Sequence, residues 1–157
     1  MNLWRIASTA RSYTPEDLSG RGAAAHPGRW NDTGQHVVYA SPSLALAVLE
    51  TAAHIDDRGL PLNRYVVRIE IPAALWKKRE RLAPGVLPVG WDAIPHGLVS
   101  IRAGARWYDT MRSALLEVPS AIVPEENNVL INAAHPDARQ LVAVATRRFD
   151  YNGLFRR

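Results

Sequence analysis

The feature that most restricts the fold is the unit from His36 to Ile55, where a short apolar run leads straight into a long apolar helix signal. His36-Val37-Val38-Tyr39-Ala40 is rich in β-branched and aromatic residues and reads as a buried strand with Tyr39 at its exit. Ser41 is placed to cap the helix that follows, Pro42 suits a first helical position, and Leu44 to Ile55 is apolar over most of its length. Glu50 interrupts that run one turn after Leu46 and one turn before His54, so leucine, glutamate and histidine share a face. A carboxylate in such company needs a partner or a purpose. Upstream, Gly28, Asn31 and Gly34 tolerate positive φ and place Arg29 in a shaped loop.

The remaining elements are short. Leu3 to Ile6 reads as a first strand and Thr14-Pro15-Glu16-Asp17 as a capped turn or short helix. Arg64 to Ile71 alternates, with Tyr65, Val67, Ile69 and Ile71 opposite Arg68 and Glu70, and reads as a half-buried strand ended by Pro72. Ala73 to Arg81 suggests a basic helix around Trp76, and Pro84 to Gly97 a loop-rich region. Ala105 to Met111 suggests a helical turn and Ser113 to Val118 a strand. Pro119-Ser120 breaks that strand, so the Ser120 hydroxyl either caps its own turn or faces a cleft. Asn127 to Ile131 and a segment within Gln140 to Tyr151 complete the strands. With no regular βαβ repeat, this order implies an α+β fold of compact mixed or antiparallel sheets with short helices, and at 157 residues a single domain over 1–157.

Several chemistries are excluded. There is no cysteine, hence no disulfide, thiolate metal site or cysteine nucleophile. The histidines, His26, His36, His54, His96 and His135, form no HExxH pattern or close ligand pair, so no metal is expected. His135 could approach Ser120 through the intervening hairpin, but no G-x-S-x-G elbow supports a serine hydrolase. Gly20-x-Gly22-x-x-Ala25 matches the dinucleotide fingerprint in form but is preceded by a polar turn and followed by Pro27-Gly28, and is rejected. No apolar run approaches the ~20 residues of a membrane span, and the amino terminus lacks a signal-peptide pattern, so a cytoplasmic protein is expected.

The net charge is +4 and the pI about 9.8. Arginine dominates, the only lysines being Lys77 and Lys78, which favours an anionic ligand or acidic partner recognised by planar guanidinium groups. The tight basic clusters, Lys77-Lys78-Arg79, Arg147-Arg148 and Arg156-Arg157, read mainly as solvated surface, and Arg5 on the first strand reads equally as a structural ion pair or a residue near the ligand. The basic charge with five tryptophans and five tyrosines also leaves an RNA-binding or RNA-cleaving module as a reading of another class.

Gly28-Arg29-Trp30-Asn31, Tyr39-x-Ser41, Leu49-Glu50, Val118-Pro119-Ser120 and Asn128-x-Leu130-x-Asn132-x-x-His135, in that order and approximate spacing, resemble the RES domain, a family named for an arginine, a glutamate and a serine. Pro27 stands where the family often has a second glycine. The resemblance implies an ADP-ribosyltransferase-like fold and a toxin of a toxin–antitoxin pair that consumes NAD. Cleavage of the nicotinamide–ribose bond with water or phosphate as acceptor is the leading expectation, and ADP-ribosyl transfer to a protein the alternative. By resemblance, Arg29 holds the NAD phosphates, Tyr39 contacts the nicotinamide ribose, Glu50 stabilises the reacting centre and Ser120 adds a hydrogen bond. The implied partner is an antitoxin with a helix-turn-helix domain and a segment that blocks the cleft, any DNA contact being made through that partner.

Overall fold

The computed structural model describes residues 1–155, so Arg156-Arg157 lies outside the described residues. Two sheets carry the molecule. In the first, β1 (Asn2–Ser8), β3 (Arg64–Glu70) and β7 (Val142–Phe149) run antiparallel in the order β1-β3-β7, with Leu3 opposite Ile69 and Val67 opposite Ala145. In the second, the order is β2 (Val37–Ala40), β6 (Asn127–Asn132), β5 (Leu115–Pro119), β4 (Glu80–Arg81), antiparallel except for the short parallel pair β4–β5. The expected α+β class with mixed and antiparallel sheets is what the chain adopts.

Period-two patterning explains how the sheets meet. Leu3, Ala7, Val67 and Ile69 of the first sheet pack with Val38, Ala40, Leu115, Val129 and Ile131 of the second in one buried cluster. Arg5 alternates with Leu3 and Ala7 along β1, which places a cation on this otherwise apolar face. The sheets are stitched at one point, where Trp4 and Ser41 exchange backbone hydrogen bonds of 2.8 Å.

Helices cover the outer faces. Between β2 and β3, α2 (Leu44–Ala52) lays Leu44, Val48 and Ala52 on Ile6, Val66 and Tyr151. Its N-cap is Ser43, whose side chain accepts from Leu46 N at 3.1 Å, in place of the expected Ser41; the helix also stops at Ala52, short of Ile55. Ser41 is withheld from capping because its backbone bridges to Trp4 and its hydroxyl donates to Asn128. Two shorter helices, α1 (Arg21–Ala25) and α3 (Ala73–Lys77), flank these elements. The rejected fingerprint thus lies on a helix, α1, but a turn precedes it and the strand the motif requires is missing there.

The largest departure from expectation is α4 (Leu98–Thr110), of which only the last part was anticipated. Its buried positions are Ser100, Gly104 and Trp107, spaced as one helix face but without aliphatic residues to mark it. A Cβ on Gly104 would lie 1.8 Å from the Trp30 carbonyl oxygen, so the helix approaches that backbone as only glycine allows. Beneath α4, Trp30, Val37, Trp91, Trp107, Leu116, Val118 and Leu130 form a second core. A four-residue α5 (Asn152–Phe155) ends the described chain. Among the described residues no helix is long and apolar enough to cross a membrane.

Candidate active site

Where β1 and β2 diverge from the Trp4–Ser41 stitch, they open a cleft of about 640 Å³, within the ~300–1,000 Å³ typical of small-molecule sites. Arg5, Arg29, Tyr39, Glu50, His54, His96 and Asn128 line it. The expected site residues are therefore brought together by β1, β2, α2, the hairpin between β5 and β6, and the loop that precedes α4.

Glu50 sits on the inner face of α2 and reaches the hairpin. Its Oε1 accepts from the Ser120 hydroxyl and from Asn128 Nδ2, both at 2.6 Å, short bonds of the kind an ionised carboxylate makes. Asn128 is oriented in turn by the Ser41 hydroxyl, which donates to its Oδ1 at 2.7 Å. Ser120 caps its own turn, its oxygen accepting from the backbone N–H of Ile122 and Val123, while its proton goes to Glu50. Ser120 is buried, with 1% of its surface exposed, so it acts on the cleft through Glu50. His135 is placed at the opposite end of the hairpin from Ser120, because Asn132 adjoins Ala114 while Ser120 bonds Glu126; its ring accepts from Asp137 N, and the suggested Ser120–His135 approach does not occur.

The loop around Arg29 is shaped differently from expectation. Gly34 has positive φ, whereas Gly28 and Asn31 do not. Gly28 is needed for closeness: a Cβ there would lie 2.8 Å from the Tyr39 hydroxyl. Asn31, with no exposed surface, is the hub. Its Oδ1 accepts from Gly28 N at 2.9 Å and from the Tyr39 hydroxyl at 2.7 Å, and its Nδ2 donates to the carbonyls of Ala23 and Asp32. Tyr39 also accepts from Trp30 N, and burial pushes its pKa well up, so it presents a neutral ring to the cleft.

Arg29 donates from Nη1 to the carbonyls of Trp91 and Ala93, each at 2.9 Å, and Trp30 stacks on Trp91 with centroids 6.0 Å apart. The Gly28–Trp30 segment thus holds Asp92–His96 against the cleft. Burial lowers the Arg29 pKa, opposed by Glu50, Asp92 and Tyr39. Arg5 was weighed without preference in the sequence; it lines the cleft, and burial lowers its pKa, opposed by Asp17 and Tyr13. Arg5 donates to the Asp17 carbonyl at 3.3 Å, while the Asp17 carboxylate pairs with Arg21 at 2.9 Å. A half-buried guanidinium held by one long hydrogen bond is suited to an anionic ligand. The signal available in the sequence was an arginine in phase with Leu3 and Ala7.

Asn31, Asn128 and Ser41 are further supports: the sequence marked Asn31 as a loop residue, Ser41 as a helix cap and Asn128 as part of a motif, and none of them as a prop of the site. Among the described residues no group of three or more histidine or acidic side chains is arranged to hold a metal.

A model of the RES domain matches residues 2–152. The chain belongs to the RES domain family. It is 54% identical over 151 residues to a protein of Sphingobium sp. (strain YBL2) named Prs ADP-ribosylating toxin, covering 96% of this chain and 94% of that protein. It is 34% identical to the protein named Toxin Res of Photorhabdus laumondii, covering 94% and 91%, and 38% identical to Toxin Res of Pseudomonas putida, covering 88% and 89%. Its fold is similar to a chain in the crystal structure of the M. tuberculosis MbcT–MbcA toxin–antitoxin complex, with TM-score 0.65, 17% identity, and coverage of 93% of this chain and 84% of that one.

Proposed function

We propose that this RES domain is the toxin of a toxin–antitoxin pair, that it binds NAD in the cleft and breaks the nicotinamide–ribose bond, and that ADP-ribose passes to a protein acceptor. The observation that carries the reading is the Glu50 carboxylate, fixed through Oε1 by Ser120 and Asn128 in a cleft that also holds Arg5 and Arg29. An anion at the reacting ribose and cations for the pyrophosphate are what an oxocarbenium-like transition state of a diphosphate substrate needs. Glu50 stabilises the developing positive charge. Ser120, Asn128 and Ser41 hold it in place. Tyr39 packs its ring against the ribose end. Arg5 takes the phosphates together with the free nitrogens of Arg29, whose Nη1 also holds the cleft wall.

The choice of a protein acceptor over water or phosphate, the other order of preference from the sequence alone, is supported by the 54% identity to a relative named as an ADP-ribosylating toxin. The partner is an antitoxin with a helix-turn-helix domain, whose blocking segment would meet a basic cleft, and DNA is contacted only through it. An RNA-directed role predicts binding that weakens steeply with salt and tolerates loss of Glu50.

The test uses purified protein and NAD labelled in its adenylate half, incubated in buffer, in buffer with phosphate, and with cell extract. Label moving onto a protein band in extract supports transfer. Label recovered only as free ADP-ribose, or as its phosphorylated form when phosphate is present, replaces transfer by hydrolysis or phosphorolysis. Intact NAD in all three, from folded protein, removes the reading.

A further inference from the structure

Resting on the NAD reading above, we propose that His96 is the general base of the cleft: it accepts the proton of the incoming nucleophile as that nucleophile attacks the ribose. His96 has no role in the sequence reading and stands outside the RES motif residues.

Arg29 commits Nη1 to two carbonyls, and Trp30 stacks on Trp91, to hold the segment beyond Trp91 in place. The part of that segment lining the cleft is Ile94, Pro95 and His96, of which only His96 can exchange a proton. His96 is exposed, whereas Glu50 is fastened to the hairpin between β5 and β6.

Two other groups near the cleft are poorly placed to serve. The Tyr39 hydroxyl is saturated by Asn31 and Trp30 and is held neutral by burial. Ser120 spends its proton on Glu50. His54, the second histidine lining the cleft, donates Nδ1–H to the Glu50 carbonyl at 2.8 Å and keeps Nε2 as an acceptor, so the His54→Gln variant below decides between the two rings. The charged and titratable groups that act on His96 are Arg29, from the loop before β2, and His54, at the end of α2; Glu50 lines the same cleft, and Asp92 lies on the same segment and acts on Arg29. Burial, then Arg29 and His54, lower the His96 pKa from the ordinary 6.5, which keeps the imidazole unprotonated at neutral pH.

The step balances as follows. The acceptor oxygen or nitrogen forms a bond to the anomeric carbon of the nicotinamide ribose. The carbon–nitrogen bond to nicotinamide breaks and its electron pair leaves with the ring, which becomes neutral nicotinamide. The acceptor's proton moves to the unprotonated nitrogen of His96, which becomes an imidazolium and later releases the proton to solvent.

Removing a base is reversed by a nucleophile that has no proton to lose, so the experiment follows nicotinamide release by the full chain with water as acceptor, with azide, and with dialysed cell extract. The variants are His96→Ala, His96→Gln and His54→Gln, each checked for folding by circular dichroism and for NAD affinity. The expected result is a fall of about 10²-fold in water-dependent release for both His96 variants with NAD affinity retained. Azide restores His96→Ala at least tenfold with formation of the glycosyl azide. Wild-type activity falls as pH drops below the ordinary histidine range, and His96→Ala lacks that acid limb. Release by folded His96→Ala within twofold of wild type overturns the proposal, as does azide rescue seen with His54→Gln and absent with His96→Ala. No release by wild type with water, azide or extract overturns the NAD reading and this proposal together.

Discussion

Asn31 fills all four of its amide hydrogen-bonding positions while wholly buried, and through them it sets both Gly28 and Tyr39. Replacing it by alanine orphans the Gly28 N–H and removes a partner of the Tyr39 hydroxyl, at about 1–3 kcal/mol per stranded group. Asn31→Ala is therefore expected to lower the melting temperature by roughly 5–10 °C, and an unchanged thermal transition would show that Asn31 is not the hub. The two serines around Pro42 separate cleanly. Ser43→Ala removes the helix cap and should cost about 1 kcal/mol in a denaturant titration with the site intact. Ser41→Ala removes the hydroxyl on Asn128 and should slow nicotinamide release more than it changes stability. The opposite ranking would return the cap to Ser41.

At the scale of elements, legibility followed the kind of residue that each element buries. Strand β3 buries Val67 and Ile69 at alternate positions, and that alternation was plain in the sequence, although Val66 on the other face is buried as well. Helix α4 buries Ser100, Gly104 and Trp107, so no aliphatic stripe marks it, and its first half was assigned to no element. The cap of α2 was misassigned by two residues because two serines flank Pro42 and only the pairing of Ser41 with Trp4 decides between them. Gly104→Ala tests the packing of α4 directly: with the Trp30 carbonyl 1.8 Å from the new Cβ, the helix must move, and destabilisation of about 1–3 kcal/mol is expected in urea. A variant as stable as the parent would mean that α4 does not rest on the Trp30 backbone. The candidate site was legible as a set of residues through its resemblance to the RES domain. Its wiring was not, because the bonds from Glu50 to Ser120 and Asn128 cross 70 and 78 positions of chain.

Across the whole molecule, two sheets packed through one core leave a cleft at the edge where β1 parts from β2, and the helix that covers one sheet supplies the carboxylate. The positive net charge fits the proposed occupants of the cleft, a substrate with two phosphates and an acidic segment of the partner. The central claim is that Glu50 acts on the reacting ribose and not on affinity or folding. Nicotinamide release under single-turnover conditions by wild type and by Glu50→Gln, at NAD concentrations saturating for each, tests it most directly. The account predicts a folded variant that binds NAD as wild type does and releases nicotinamide about 10²–10³-fold more slowly. Release at the wild-type rate by folded, saturated Glu50→Gln would contradict it.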